Sequence, residues 1–147
     1  MCLAITDKIK DRKVATKDII CYIVANKSDN MLITYFNDTK ITIKMKSAIT
    51  FEYKQISEKL SSLSVQKGLH SFTTKKGAIN FVNQEHALIL KCIIPKGAVY
   101  YKGDFHWYTG FLEIFCEEDK NSPAKSYASN KRIIHPDSLK KYKQYFK

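Results

Sequence analysis

The sequence predicts one α+β domain covering residues 1–147, in which a mostly antiparallel sheet is combined with about three helices. The sheet consists of an N-terminal three-strand meander plus C-terminal strands. Runs of β-branched and apolar residues at 19–25 and 87–94 are each followed by turn-forming residues, as is typical of strands. Elsewhere apolar residues recur at a spacing of three or four, which indicates amphipathic helices. Hydrophobic residues make up 44% of the chain, enough to form the core of one domain of this length.

The N-terminal part of the sheet is the three-strand meander. Its first strand is the buried run 19–25, a turn at 27–30 leads to a second strand at 31–36, and the third covers 40–46. Side chains alternate strictly in the third strand, and the lysines on its polar face are Lys40, Lys44 and Lys46. This lysine row has two interpretations. It is either a line of cations that contacts successive phosphate groups, or the solvent face of an edge strand that is protected against aggregation.

A first helix is predicted directly after the meander. Thr50 is a suitable N-cap, and Glu52 lies in the first turn, where its charge complements the helix dipole. The apolar residues at helical spacing are Tyr53, Ile56, Leu60 and Leu63. We expect the helix to pack this apolar side against the sheet.

The middle of the chain combines a strand, a short helix and a second central strand. Residues 68–72 have strand character, and Thr73 and Thr74 are suitable caps for the helix that follows. The apolar stripe of that helix consists of Ala78, Phe81 and Val82. The strand at 87–94 ends at Pro95 and Gly97, because proline interrupts a ladder and glycine turns the chain.

The C-terminal third is predicted to contain two further strands and a terminal helix. A β-like run covers 111–116, the polar stretch 117–125 forms a long loop, and the final strand covers 127–134. Asp137 follows Pro136 and is expected to cap the terminal helix. The apolar side of this helix consists of Leu139, Tyr142 and Phe146. Its lysines, which include Lys140 and Lys143, face solvent or an anionic partner.

The chain is strongly basic, with a formal net charge of +11. A field of this size attracts nucleic acid or an acidic protein surface. Nearly all of the positive charge comes from lysine, since Arg12 and Arg132 are the only arginines. Direct reading of bases relies on the bidentate guanidinium, so contact with a nucleic-acid backbone is more plausible than base recognition. Lysine excess is also the composition expected of an AT-rich genome.

A segment rich in aromatic and basic residues follows the second central strand. Its candidate binding residues are Tyr100, Tyr101, Lys102, Trp107 and Tyr108. Interleaved rings and cations are typical of surfaces that stack single-stranded nucleic acid. Aromatic residues are equally typical of sheet cores and of protein interfaces.

Cysteine usage and the N-terminus indicate a cytoplasmic protein. The four cysteines are widely scattered, so we expect reduced thiols and no metal site. The apolar stretch at the N-terminus is too short for a signal peptide, and no apolar run is long enough to cross a membrane. The chain is therefore expected in the bacterial cytoplasm and without membrane contact.

The stretch from 68 to 116 resembles the carboxyl half of ADP-ribosyltransferases of the arginine-serine-glutamate type. The resemblance is carried by a strand with Ser71 and Thr73, a helix, the strand that ends at Ile94, and Glu113. It implies a nicotinamide pocket shaped by Ser71 and Thr73, a catalytic Glu113, and NAD as cofactor. His70 would stand in for the arginine that anchors NAD on the first strand of that family, since no arginine occupies that place in this chain.

The chain also resembles small uncharacterised proteins of bacteriophages and mobile elements. The shared features are G-x-H-x-F at 68–72, C-x-I-P-K-G at 92–97 with tyrosines after it, and Y-A-S at 127–129. This resemblance implies a bacterial host cell and an accessory role, such as countering a host defence.

These observations together favour a non-enzymatic binding protein. Its basic and aromatic surface would engage a macromolecular partner, either a nucleic-acid backbone or an acidic protein surface, and it would need no cofactor. The alternative is an ADP-ribosyltransferase-like enzyme that uses NAD, or an inactive relative of such enzymes.

Overall fold

The computed structural model describes residues 2–6, 8–34, 39–55, 61–81, 87–109, 112–115, 117–119 and 122–146. In chain order the strands are β1 (Cys2–Ile5), β2 (Lys13–Val14), β3 (Ile19–Ser28), β4 (Met31–Thr34), β5 (Lys44–Lys46), β6 (Thr50–Gln55), β7 (Ser61–Lys67), β8 (Leu69–Phe72), β9 (Ala87–Ile94), β10 (Val99–Thr109), β11 (Leu112–Phe115), β12 (Glu117–Asp119), β13 (Ser122–Pro123), β14 (Lys125–Ser129) and β15 (Lys131–Ile134). The helices are α1 (Lys75–Phe81), α2 (Pro136–Lys141) and a 3₁₀ turn at Lys143–Tyr145.

The mostly antiparallel sheet predicted from the sequence is confirmed, but strands account for 57% of the structure and helices for only 14%. The prediction of a helix after residue 50 is wrong, because β6 and β7 form an antiparallel hairpin there. Phe51 pairs with Val65 and Tyr53 with Leu63. Phe51 and Tyr53 are two positions apart and so lie on the same face of β6, and aromatic residues suit a pleated surface better than a helix. Ile56 and Leu60 lie outside the described residues.

The main sheet has the strand order β5-β15-β9-β3-β8-β14-β10-β1-β7-β6. Only Asn130 separates β14 from β15, so the two strands act as one bent strand. The β14 part of this bent strand pairs with β8, and the β15 part pairs with β9. Since β8 and β9 lie on opposite edges of β3, the sheet curls round and closes on itself at this end.

The N-terminal meander is only partly correct. β3 and β4 form the predicted hairpin, and Asp29 in its turn adopts the left-handed φ of 54°. The third strand is short, however, and β5 pairs with β15 near the C-terminus of the chain rather than with β4. Ile41, before β5, is buried and donates its N–H to the carbonyl of Leu32, which still joins this segment to β4.

Two predictions for the C-terminal third also need correction. The final strand at 127–134 is two strands, because the chain bends at Asn130, whose side-chain carbonyl accepts the N–H of Val99 (3.0 Å). The stretch 117–125, predicted as a loop, contains the short pair β12 and β13. The strand predictions at 68–72, 87–94 and 111–116 correspond to β8, β9 and β11.

The predicted short helix and terminal helix are both present, but α2 ends at Lys141, before Tyr142 and Phe146, and its cap differs from the prediction. Thr74 caps α1 as expected, since its hydroxyl accepts the N–H of Gly77 (3.1 Å). The N-cap of α2 is His135 rather than Asp137, and its Nδ1 accepts the N–H of Asp137 (3.0 Å). Asp137 instead lies in the first turn and forms an ion pair with Lys91 (3.3 Å). The apolar residues that follow the sheet and pack against its core include Leu139, Tyr142 and Phe146.

The largest core cluster lies inside the curled part of the sheet and includes two thiols. Cys21 on β3 and Cys92 on β9 are cross-strand partners, and both are fully buried and reduced. Burial raises the pKa of both thiols, that of Cys92 to about 12, and the nearby Arg132 guanidinium partly opposes this rise. These thiols therefore remain protonated and unreactive at neutral pH. Cys116 and the side chain of Cys2 lie outside the described part of the structure.

We expect the fold to lose stability in alkali because of these thiols. An unfolded thiol titrates near its ordinary pKa of 9.0, whereas folded Cys92 holds its proton to about 12. Between those two values the unfolded state releases the proton first, so the free energy of unfolding falls as pH rises. From about pH 8 to about pH 10.5 the Cys92 thiol should lower the free energy of unfolding by about 2 kcal/mol, and Cys21 should act in the same direction. Urea unfolding of the wild type and of Cys92→Ala measures this, and a variant with an unchanged pH slope would contradict it.

Among the described residues, no helix is both long and apolar enough to cross a membrane.

Candidate functional site

A basic segment leads from β1 into β2. Residues 8–17 contain one acid, Asp11, and five basic side chains, which are Lys8, Lys10, Arg12, Lys13 and Lys17. The Oδ2 atom of Asp11 accepts both the backbone N–H (2.9 Å) and the hydroxyl (2.8 Å) of Thr6. These two bonds tie the turn at the start of the basic segment to Thr6, directly after β1.

Tyr101 attaches this turn to the sheet. Its ring lies almost fully buried on β10, and its hydroxyl donates a hydrogen bond to the backbone carbonyl of Lys8 (2.9 Å). Burial raises the pKa of the Tyr101 phenol, with Arg12 opposing and Asp11 reinforcing the rise, so the hydroxyl keeps the proton that it donates. The hydrogen bond therefore persists across the physiological pH range.

The turn and the sheet form an open cleft of about 380 Å³. It is lined by Lys8, Ile9, Arg12, Val14, Phe51 and Tyr101. Three separate parts of the chain meet here: the N-terminal turn with β2, the hairpin strand β6, and β10. Strands β1 and β7 lie between β10 and β6 in the sheet, so the cleft depends on the pairing of all four strands.

The floor and walls of the cleft are apolar. The rings of Phe51 and Tyr101 meet edge to face, with centroids 5.0 Å apart. Two aliphatic side chains of the lining are exposed, Ile9 to 80% and Val14 to 55%. Exposed aliphatic residues that line the same cleft indicate a contact surface more strongly than singly scattered ones do.

The rim of the cleft is positively charged, because Lys8 and Arg12 both line it and both are exposed. Two carboxylates close to this segment among the described residues accept hydrogen bonds from neutral groups: Asp11 from Thr6, and Asp18 from the N–H of Lys96 (2.9 Å). Elsewhere, Lys125 forms an ion pair with Asp104. A ligand with anionic groups around an apolar portion complements this arrangement.

The structure separates the two tyrosines that the sequence placed together. Tyr100 and Tyr101 are neighbours on β10 and point to opposite faces of the sheet. Tyr101 reaches the cleft, whereas Tyr100 packs edge to face against Tyr127 (5.7 Å) and against the main core. Lys102 is exposed. Trp107 and Tyr108 lie farther along β10, opposite Ile114 and Glu113 of β11, and their side chains are outside the described part.

The candidate lysines are spread over several elements. Lys44 and Lys46 are exposed on β5, and Lys46 lies directly opposite Lys131 of β15. Lys40 is exposed before β5, while Lys140 and Lys143 are exposed on α2 and the 3₁₀ turn. None of these five predicted lysines is among the residues that line the cleft. β5 is the last strand at that end of the sheet. Exposed lysines on it are where residues that protect a sheet edge against aggregation are expected.

The residues of the ADP-ribosyltransferase resemblance lie on different parts of the sheet. The Ser71 side chain is almost fully buried on β8, beside the thiol of Cys21. Thr73, two positions later, donates its N–H to the carbonyl of Lys125 (3.1 Å), and the carbonyl of His70 accepts a hydrogen bond from Arg132 (3.0 Å).

Glu113 is distant from this group along the sheet. Ser71 pairs with Tyr127, which pairs with Lys102, whereas Glu113 pairs with Tyr108. Lys102 and Tyr108 are six positions apart on the same strand, which corresponds to about 20 Å along β10. The described backbone therefore does not bring the serine and the glutamate together at one point of the sheet.

Comparison with known proteins found no family model, curated protein or solved structure that matches the chain. Within the described ranges, no group of three or more histidine, cysteine, aspartate or glutamate residues is placed to hold a metal ion.

Sequence reasoning missed five of the six residues that line the cleft: Lys8, Ile9, Arg12, Val14 and Phe51. One signal was present, since five basic residues among the ten at 8–17 form the densest positive stretch near the N-terminus. The contribution of Phe51 had no local signal, because it depends on the hairpin of β6 and β7 and on its place in the sheet.

Proposed function

We propose that this protein is a non-enzymatic binding protein that captures an anionic macromolecular partner in the cleft between the N-terminal turn and the sheet. The observation that carries the proposal is the combination of Lys8 and Arg12 with an apolar floor formed by Phe51 and Tyr101. Cations at a rim attract and orient a partner, and apolar contacts inside the cleft supply affinity. The partner is either a nucleic-acid strand or an acidic protein segment.

The shape of the turn supports binding by a preformed site. The Asp11 bonds to Thr6 and the Tyr101 bond to Lys8 fix the backbone that carries both cations, so less conformational entropy is lost on binding. The resemblance to small proteins of phages and mobile elements extends the proposal to an accessory, anti-defence role in a bacterial host.

The charge of the cleft gives a direct test. In the double variant Lys8→Gln, Arg12→Gln we expect affinity for polyglutamate and for oligothymidylate to fall at least about tenfold at low salt, because each cation removed takes away an attraction of the order of 1 kcal/mol. The dependence of binding on salt should also become shallower, by roughly 0.7 in logarithmic slope for each phosphate of oligothymidylate that the variant no longer neutralises. Fluorescence anisotropy of labelled polymers measures both quantities.

A matched control removes the same charge elsewhere. Lys75 and Lys76 are exposed at the start of α1, so Lys75→Gln, Lys76→Gln lowers the net charge equally and leaves the cleft intact. We expect this control to change affinity less than about twofold. Equal losses in the two double variants would mean that the net charge of the protein, and not the cleft, binds the polymers.

A further inference from the structure

Resting on the function proposed above, we infer that the partner of the cleft is an acidic protein segment with an aliphatic side chain that enters between Ile9 and Val14. The first reason is the kind of apolar surface that the cleft presents. The most exposed apolar side chains of its lining are aliphatic, whereas Tyr101 is only 4% exposed. Nucleobases bind by stacking on open ring faces, and this ring is covered.

The second reason is the way the aromatic rings pack against each other. Phe51 and Tyr101 meet edge to face at an interplanar angle of 79°, so the two rings do not form a flat platform. The hydroxyl of Tyr101 is also occupied by its hydrogen bond to the Lys8 carbonyl. An apolar side chain can fill the space above such a pair, because aliphatic contacts need area rather than a parallel plane.

The third reason is the size and charge of the site. A volume of about 380 Å³ accommodates one or two aliphatic side chains with the backbone that carries them. Lys8 and Arg12 at the rim complement carboxylates on either side of that anchor. A second copy of this chain is a poor occupant, because it would bring another net charge of +11 towards the same basic rim.

The test compares three labelled probes of similar length: a glutamate-rich peptide with a central leucine, the same peptide with serine in place of leucine, and oligothymidylate. We expect the leucine peptide to bind the full chain about tenfold more tightly than the serine peptide, which is the effect of burying one aliphatic side chain. We expect it also to bind more tightly than oligothymidylate. Fluorescence anisotropy at constant salt concentration gives the three affinities.

The variant Ile9→Ser tests whether the leucine side chain of the peptide binds beside Ile9. Ile9 is exposed, so the substitution leaves the core unchanged, and we expect affinity for the leucine peptide to fall about fivefold. Affinity for the serine peptide and for oligothymidylate should fall by a clearly smaller factor, because neither probe carries the aliphatic anchor. Ile79→Ser is the matched control, because Ile79 is a 50% exposed isoleucine on α1 that does not line the cleft, and it should leave all three affinities unchanged.

Two outcomes would overturn this inference while leaving the proposed function standing. One is tighter binding of oligothymidylate with no effect of Ile9→Ser, which would identify a nucleic-acid partner. The other is equal binding of the two peptides, which would mean that charge alone is recognised. If no probe binds, or if the removal of Lys8 and Arg12 has no effect on any probe, the proposed function fails as well.

Discussion

The variant Gly103→Ala should unfold at a markedly lower urea concentration than the wild type. Gly103 lies on β10 where β1 passes closely, and a Cβ atom added there would overlap the carbonyl oxygen of Ala4 and lie 3.1 Å from its carbonyl carbon. The obstacle is backbone in a paired strand, so it cannot move aside by rotating a side chain. Overpacking of this kind costs about 3 kcal/mol, which is a large part of the stability of one domain.

The loss of stability in Gly103→Ala should be greatest around β1. Because β1 supports the turn that forms the cleft, the cleft should be affected as well. β1 supplies Leu3 and Ile5 to the core cluster that also contains Val65 and Tyr101. If β1 is forced away from β10, this packing loosens and the turn that begins after β1 loses its support. Hydrogen exchange should then show reduced protection of the β1 amides, and binding of anionic probes should weaken together with stability.

Gly97→Ala is the control for Gly103→Ala. Gly97 has a left-handed φ of 89°, and an added Cβ would meet no atom within 4 Å, so its cost is confined to backbone strain of about 1 kcal/mol. Circular dichroism during urea unfolding compares the two variants. A Gly103→Ala protein as stable as Gly97→Ala would show that β1 does not approach β10 as closely as described.

The strands that sequence reasoning located correctly have strong local signals. β3 begins with the apolar run 19–25, β9 is apolar except for Lys91, and Pro95 with Gly97 marks the end of β9. The caps of α1 were equally local, since Thr74 needs only the N–H of Gly77. Such features follow from a few consecutive residues, so one sequence is enough to predict them.

The features that sequence reasoning missed depend on distant pairing. Tyr53 and Leu63 fit a helical spacing as well as they fit cross-strand positions, and the partner strand decided between the two. β5 pairs with β15, about ninety positions later, and no local pattern specifies that choice. The cleft depends on the pairing of β10, β1, β7 and β6, so only Tyr101 and the basic character of residues 8–17 could be seen in advance.

Substitution of Arg132 should also change stability strongly, because this arginine lies inside the curled sheet and is only 4% exposed. Its guanidinium donates to the backbone carbonyl of His70 (3.0 Å) and lies 3.4 Å from the sulfur of Met45. The ion pairs of the described residues join lysine or histidine to aspartate, and none includes Arg132. This buried cation is thus held by neutral acceptors, an arrangement in which desolvation of the charge is costly.

Arg132→Ala should therefore destabilise the fold by roughly 4 kcal/mol, because it leaves a cavity in the core and removes the donor to the His70 carbonyl. Arg132→Met should cost only about 1 kcal/mol, since methionine keeps most of the volume and removes the desolvation of the charge. Urea unfolding of the two variants at neutral pH separates volume from charge. Equal losses of stability in both would show that the charge and its hydrogen bond stabilise the fold, and that filling the space does not.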